Sequence, residues 1–461
     1  MKQYDAIIIG SGQAGGPLAK KLALSGMKTA VIEKRWVGGT CINDGCTPTK
    51  TMVASAKMAY LATNSAPLGV KIKNFKVDMV QVKKRKDDIV LKSREGNQKG
   101  LESTKNLDLI FGEAAFTGDK TIAVKLKNGK TQELKADLFF INTGAKTFIP
   151  DIEGLSDISY LTSTTIMDLD HVPEHLLVVG GNYIGLEFGQ MFRRFGSKVT
   201  VIEKSGRIVS KEDEDISEEL TKILQMEDID IRTNATTTRF KQKKDGKIIA
   251  TIKTGDQEEK IKCSHVLIAV GRIPQSEALD LAKTGVKTDD KKSIIVNDKL
   301  ETNIKGIYAL GDVKGGPAFT HISYNDYTIV YRNLIEKEDL NIKDRPVPYC
   351  MFTDPQLGRI GLTETEAKKQ GIKHVVAKLP MAHVARAIET GDTRGFMKAI
   401  VDPDTKKILG AAILGAEGGE IMTVLQMAML GDITYDRIRY CVFAHPLYAE
   451  SLNNLFMALE T

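Results

Sequence analysis

Short apolar runs that end in glycine recur at two places along this chain with the same internal spacing. The first, Ile7-Ile8-Ile9, enters Gly10-Ser11-Gly12-Gln13-Ala14-Gly15 and continues to Val31-Ile32-Glu33-Lys34. The second, Leu177-Val178-Val179, enters Gly180-Gly181-Asn182-Tyr183-Ile184-Gly185 and continues to Val201-Ile202-Glu203-Lys204, aligned on the first without a gap. Each copy predicts an apolar strand, a glycine turn, a helix with apolar spacing, and a β-branched strand ending in an acid. That is the dinucleotide fingerprint of a Rossmann fold, present twice.

The chemistry of the fingerprint is specific. Gly10, Ser11, Gly12 and Gly15 let the backbone approach a pyrophosphate at a helix N-terminus, where free N–H groups and the helix dipole favour negative charge. Gly180, Gly181, Tyr183, Ile184 and Gly185 take the same places in the second copy. Glu33 and Glu203 are placed to accept from ribose hydroxyls, so two different dinucleotides are expected. The second copy departs from the pattern at Asn182, where the middle glycine should be: Asn tolerates left-handed backbone better than most residues, yet its side chain must find room beside the phosphates, which weakens the second site modestly. Glu203 would repel a 2′-phosphate, so NADH is preferred. Lys204 and Arg207 lie close enough to leave NADPH possible.

The remaining pattern is plainer. The basic run Lys83-Lys84-Arg85-Lys86 meets Asp87-Asp88 in a helical-looking segment and reads as a solvated face. Asn128-Gly129 between Lys120 and Lys135 is a hairpin signal. No apolar stretch reaches the roughly 20 residues a membrane helix needs. A net charge of +6 over 461 residues is small, so neither nucleic acid nor membrane is an expected partner. That length exceeds one hydrophobic core and predicts two to four domains. Its few cysteines make no secreted disulfide scaffold, and the start lacks a signal-peptide layout, so the cytoplasmic compartment is expected.

Cys41 and Cys46 lie five positions apart in Gly38-Gly39-Thr40-Cys41-Ile42-Asn43-Asp44-Gly45-Cys46-Thr47-Pro48-Thr49-Lys50. Five positions of ideal helix span roughly 7.5 Å, more than the roughly 4.4 to 6.8 Å between Cα atoms in a disulfide. A bridge here must distort its backbone, and Gly45 supplies the permissive joint. Strained or exposed bridges tend to be catalytic, so a redox disulfide is one reading. Zinc is a second, but it needs two more soft ligands, and Cys263, Cys350 and Cys441 stand singly. Two unpaired buried thiols are the third.

With these residues in place, the chain resembles the class I pyridine nucleotide-disulfide oxidoreductases, the family of glutathione reductase, dihydrolipoamide dehydrogenase and mercuric reductase. The likeness runs nearly end to end. It includes Ile141-Asn142-Thr143-Gly144-Ala145, Tyr183 to Glu187, Ala269-Val270-Gly271-Arg272-Ile273-Pro274, Thr302 through Asp312, and His445-Pro446-Leu447-Tyr448-Ala449-Glu450. The wording Gly45 to Lys50 and Pro317-Ala318-Phe319-Thr320-His321 is closest to the mercuric-reductase-like branch.

The resemblance implies an α/β fold with two Rossmann-like domains, for FAD and NAD, and an α+β dimerisation domain. The expected boundaries are 1–150 for FAD, 151–272 for NAD(P), 273–344 for a return segment completing the FAD side, and 345–461 for the interface. FAD is implied on the first copy, with Glu33 at the adenosine ribose, Ala114 at adenine and Asp312 at a ribitol hydroxyl. Lys34, Gly39, Thr40, Thr143, Gly144 and Thr320 are implied around the same cofactor. Gly271 closes the set at the chain's return. Lys50 and Glu187 would pair beside the flavin ring, and Tyr183 would be the lid that nicotinamide displaces.

By the same resemblance, Cys46 faces the flavin and Cys41 attacks the acceptor. His445, oriented by Glu450, returns the proton to the leaving thiol from the partner subunit of a homodimer. The acceptor is implied as a small-molecule disulfide or a metal ion. A diaphorase or mercuric-type reductase without a small disulfide substrate, and a non-catalytic redox-sensing flavoprotein, are the alternatives. Intact Lys50, Glu187 and His445 argue against the last. Glutathione is disfavoured, because Arg94-Glu95-Gly96-Asn97-Gln98 lacks the tyrosine that glutathione reductases place there. No cysteine follows Cys441, so the C-terminal pair of mercury-detoxifying members is missing.

Overall fold

The computed structural model describes residues 1–459. The chain divides into two units. One holds Met1–Thr51, Lys83–Phe148 and Gly271–Arg345; the other holds Met52–Val82, Ile149–Val270 and the chain from Pro346 onward.

In the first unit, β1 (Lys2–Ile9), α1 (Gly15–Leu24) and β2 (Thr29–Glu33) form the predicted strand–turn–helix–strand. Two helices follow, α2 (Gly39–Asn43) and α3 (Cys46–Thr63), then α4 (Met79–Glu102), of which α3 from Met52 and α4 up to Val82 are counted with the other unit. Three strands complete the run, β3 (Leu107–Gly118), β4 (Thr121–Leu126) and β5 (Thr131–Ile141). β2 pairs in parallel with both β1 and the first half of β3, while β1 also pairs in parallel with β5. Successive residues of β1 feed opposite sides: Ile7 and Ile9 join one buried cluster, Ala6 and Ile8 another. Both faces are covered, which is why the strand reads as an unbroken apolar run. The second half of β3, β4 and the start of β5 form the expected antiparallel excursion, with Gly129 at φ +82° in its turn.

α4 corrects one expectation. Lys83 and Lys84 pair with Asp87 and Asp88 at 2.8 and 2.6 Å, as a solvated face would. Lys86, however, is buried, its ammonium 2.6 Å from Asp87. The helix turns that position inward, a placement that the charge run alone does not reveal.

A short strand, β6 (Ala145–Thr147), follows β5. The second copy then builds β7 (His175–Val179), α5 (Tyr183–Phe195), β8 (Lys198–Ile202), α6 (Glu214–Met226) and β9 (Ile229–Arg232) in the other unit. An antiparallel three-stranded sheet, β10 (Ala235–Gln242), β11 (Ile248–Thr254) and β12 (Gln257–Cys263), precedes β13 (His265–Ile268). The parallel order is β13-β7-β8-β9. α5 is buried all round from Gly185 to Phe192, with Leu186, Met191, Phe192 and Phe195 in one hydrophobic cluster, and Gly196 at φ +115° ends it.

The chain returns to the first unit through β14 (Arg272–Pro274), antiparallel to β6, and β15 (Ile307–Ala309), parallel to β5. α7 (Thr320–Tyr331) follows. From Pro346 onward, in the second unit, five strands form an antiparallel sheet: β16 (Tyr349–Met351), β17 (Gln356–Gly361), β18 (Val375–Pro380), β19 (Phe396–Val401) and β20 (Ile408–Gly415). The helix Gly418–Leu430 packs on β17 and β20.

Candidate functional site

The two fingerprints superimpose in their hydrogen bonds. Gly10 N donates to Ile32 O as Gly180 N donates to Ile202 O, both at 2.8 Å. Glu33 accepts from Ser11 N at 3.1 Å and from Arg35 N at 2.9 Å; Glu203 accepts from Gly181 N and Ser205 N, both at 2.7 Å. Ser11 Oγ adds a 2.7 Å bond to Glu33. A Cβ on Gly15 would stand 2.0 Å from Gly10 O, and one on Gly185 2.0 Å from Gly180 O, so no side chain fits at either place.

Asn182 differs from expectation. It caps α5 in extended backbone, φ −107°, with its Oδ1 accepting from Tyr183 N at 2.9 Å. Left-handed tolerance is not what the position uses. A Cβ on Gly12, its counterpart, would stand 2.9 Å from Asn142 Oδ1. In the second copy, Ala269 takes the place of Asn142, each donating its backbone N–H to the strand before its glycine turn, to Val179 O and Ile9 O. With no carboxamide at Ala269, the glycine is not required.

The cysteine motif starts on the first glycine turn. A Cβ on Gly39 would stand 2.7 Å from Gly12 Cα, and Gly38 N donates to Ser11 O at 3.2 Å. Thr40 and Cys41 ride on the short α2, and Asp44 N closes it on Thr40 O at 2.9 Å. The helix then breaks, and α3 begins at Cys46. Gly45 is needed here for close approach: a Cβ would stand 2.8 Å from Thr40 O. Cys41 is half-buried and Cys46 is exposed. The pair is thus not buried.

The Cys41 thiol is pushed strongly upward, first by its hydrogen bond with Cys46, then by burial, then by charge on Cys46. Cys46 Sγ lies 3.2 Å from Thr320 Oγ1, at the first residue of α7. The first residue of α3 is a place where helix N–H groups favour a thiolate. Lys50 follows one turn later on α3.

The turn before α7 carries Asp312. Burial raises its carboxyl above the usual range, against Arg272 and Lys314, which draw it down. The fully buried Asp326 holds that turn: it accepts from Gly311 N at 2.8 Å, and it pairs with Arg345 at 2.6 Å and Lys314 at 3.4 Å. Sequence reasoning did not single out Asp326, whose only signal was being the one acidic residue of α7. Thr143 Oγ1 is buried without a partner, Gly144 follows at φ +70°, and Gln275 donates to Thr143 O at 3.0 Å. Ala114 is buried in β3, and Lys34 reaches Gln275 at 3.3 Å. Gly271, at φ +138°, accepts from Phe148 N at 3.0 Å. The close-packed glycines, the orphaned hydroxyl and the buried acid suit a phosphate-linked, hydroxyl-rich cofactor.

The other unit places Tyr183, Ile184 and Glu187 on α5, with Glu187 accepting from Phe352 N at 2.8 Å. His445 Nδ1 donates to both carboxylate oxygens of Glu450, at 3.0 and 2.9 Å. That fixes the tautomer and leaves Nε2 for proton transfer.

The family model described as pyridine nucleotide-disulphide oxidoreductase matches residues 4–326, and its dimerisation domain matches residues 347–456. The chain belongs to this family. As a pyridine nucleotide-disulfide oxidoreductase it is an FAD-dependent enzyme that uses NAD(P)H. It is 36% identical to the probable pyridine nucleotide-disulfide oxidoreductase RclA of Escherichia coli (strain K12), over 100% of both chains. It is 36% identical to a mercuric reductase of Staphylococcus aureus, over 97% of this chain and 81% of that one. A solved structure, the Cu(II) complex of the HOCl-induced flavoprotein disulfide reductase RclA from Escherichia coli, matches with a TM-score of 0.91 at 36% identity over 99% of each chain. Among the described residues, no helix is long and apolar enough to cross a membrane.

Proposed function

We propose that this oxidoreductase carries electrons from NADH to the Cys41–Cys46 pair, and from there to a small disulfide, within a homodimer. The observation that carries the reading is the thiol pair: Cys41 keeps its proton through the bond to Cys46, and Cys46 sits at a helix start beside Thr320. FAD, when bound, supplies the two-electron relay between nicotinamide and sulfur. Asp312 and Thr143 would hold its hydroxyls, and the turn Gly10 to Gly15 its pyrophosphate.

Cys41 gives up its proton to a base as it attacks the acceptor disulfide, and the thiol released takes one proton back. Cys46 then displaces the second thiol, restoring the Cys41–Cys46 bridge. His445, held by Glu450, is suited to give and take those protons through Nε2. Lys50 and Glu187 are read as a pair beside the relay, Tyr183 as the nicotinamide lid, and the histidine as the partner subunit's contribution.

NADH is read as the donor because Glu203 presents its carboxylate where a 2′-phosphate would come. Arg207 turns its guanidinium to Ser210 O and Glu212 O, at 3.4 and 3.3 Å, so it is not aimed at that phosphate.

A second reading has its own support. The solved relative is a Cu(II) complex and another relative is a mercuric reductase. A soft metal ion would bind the thiol pair, and two Cu(II) would take one electron each as the bridge forms and two Cu(I) leave. An anaerobic NADH titration tests both: uptake of two hydride equivalents per FAD, one lost in Cys41→Ser, is expected. One equivalent in the unaltered protein would refute the dithiol. Turnover with lipoamide, low-molecular-weight disulfides, Hg(II) and Cu(II) then separates the acceptors.

A further inference from the structure

The carboxamide of Asn142 spans two loops of the first unit that the sequence keeps far apart. Its Oδ1 accepts from Gly15 N at 2.9 Å, at the helix end of the glycine turn. Its Nδ2 donates to Leu310 O at 2.8 Å, two residues before Asp312. The orientation is unambiguous, because an amide N–H demands the oxygen and a carbonyl demands the nitrogen. Asn142 is buried, so both bonds form away from water. One side chain therefore ties the pyrophosphate turn to the turn that carries the ribitol-side acid.

The second copy lacks the tie. Ala269 occupies the same register and carries no polar group. Where β15 lies beside β5, the edge of β13 carries, among the described residues, only a one-residue parallel bridge from Leu161 to Leu267. The two fingerprints share the strand-to-turn hydrogen bond, the outer glycines and the acid, and they differ here and at the linked Gly12 and Asn182 positions.

We propose that Asn142 is a positioning residue that preorganises the first copy for a resident cofactor, while Ala269 leaves the second copy free to exchange its nucleotide. The proposal rests on FAD occupying the first copy. A preformed cradle spares the cofactor the ordering cost of binding and slows its release. An enzyme that keeps one dinucleotide and turns over the other needs that difference between two otherwise matched sites.

The test is the rate of FAD release from the full-length holoprotein, followed by recovery of free flavin fluorescence on dilution. Asn142→Ala should accelerate release on the order of ten- to a hundredfold, since two buried backbone groups lose their partners. It should also narrow the gap in Tm between holo- and apoprotein, with the KM for NADH unchanged at saturating FAD. If Asn142→Ala does not accumulate, Asn142→Ser gives the same readout, because its side chain is too short to reach both partners. Equal loss of Tm in apo- and holoprotein with unchanged FAD release would reduce Asn142 to a structural residue and overturn the proposal. Unchanged release with a raised KM for NADH would overturn it differently, by showing that the two copies hold the opposite dinucleotides. Absence of bound FAD from the unaltered protein would fault the cofactor assignment itself.

Discussion

Cys46 Sγ stands 3.2 Å from Thr320 Oγ1, a contact between residues 274 positions apart. One begins α3 and the other begins α7, so two helix N-termini meet at the exposed sulfur of the pair. The hydroxyl also lowers the Cys41 thiol, against the larger upward effects of Cys46 and burial. Thr320→Val keeps the shape and removes the hydroxyl. Alkylation of the reduced pair at fixed pH should then slow by up to about tenfold. Rates equal to those of the unaltered protein across pH would show that the hydroxyl does nothing for the thiols.

His445 separates the acceptors. Its Nδ1 is committed to Glu450, leaving Nε2 for proton transfer. His445→Ala should depress disulfide turnover by roughly 10² to 10⁴, yet spare reduction of the bound flavin by NADH in stopped flow. Reduction of Cu(II), which needs no proton returned to a leaving thiol, should fall far less. Equal losses with both acceptors would contradict the acid–base role.

Gly45 is sterically required. A Cβ there would stand 2.8 Å from Thr40 O and 3.3 Å from Cys41 Cα, both backbone atoms that cannot turn aside. Gly45→Ala should cost about 1–3 kcal/mol in denaturant unfolding and slow closure of the Cys41–Cys46 bridge. Gly246→Ala, where a Cβ meets nothing but φ is +80°, provides the comparison. It should lower stability without touching bridge closure.

Glu212 makes stability depend on pH. It is buried with Arg359, whose Nε lies 3.6 Å away, and accepts from the Tyr349 hydroxyl. Burial pushes its carboxyl up to about 7 from 4.5. The folded state therefore holds this proton where the unfolded chain has lost it. The stabilisation is complete below about pH 4.5 and is lost as pH rises through about 7. Over that window the contribution is on the order of 1–3 kcal/mol, and Glu212→Gln should flatten the slope. Asp213 acts oppositely: the amides and hydroxyl of Glu364 and Thr365 help to hold it down to about 2, so its support fails only in strong acid. A Glu212→Gln profile as steep as the parent's would assign the slope elsewhere.

Much of this was legible in the chain. Ile7-Ile8-Ile9 and Leu177-Val178-Val179 announced strands covered on both faces, since only such strands carry unbroken apolar runs. Gly15 and Gly185 were legible because no other residue fits 2.0 Å from a carbonyl oxygen. Other features resisted. Lys86 reads like its neighbours in the basic run but points inward, because α4 sets its facing by packing, which a charge run does not encode. Asn182 looked like a weakened glycine, when the relevant fact was the absence of a carboxamide at residue 269.

The sequence by itself determined the repeat, the two dinucleotide turns with Glu33 and Glu203, and the joint at Gly45, because each follows from spacing and local backbone geometry. Only the tertiary structure decided what depends on distant segments meeting. It brought Thr320 to Cys46, set Asp326 beneath the turn of Asp312, and stretched Asn142 between Gly15 and Leu310. Hydrogen bonds act over about 3 Å regardless of separation along the chain. No periodicity records which residues the fold will bring within that reach.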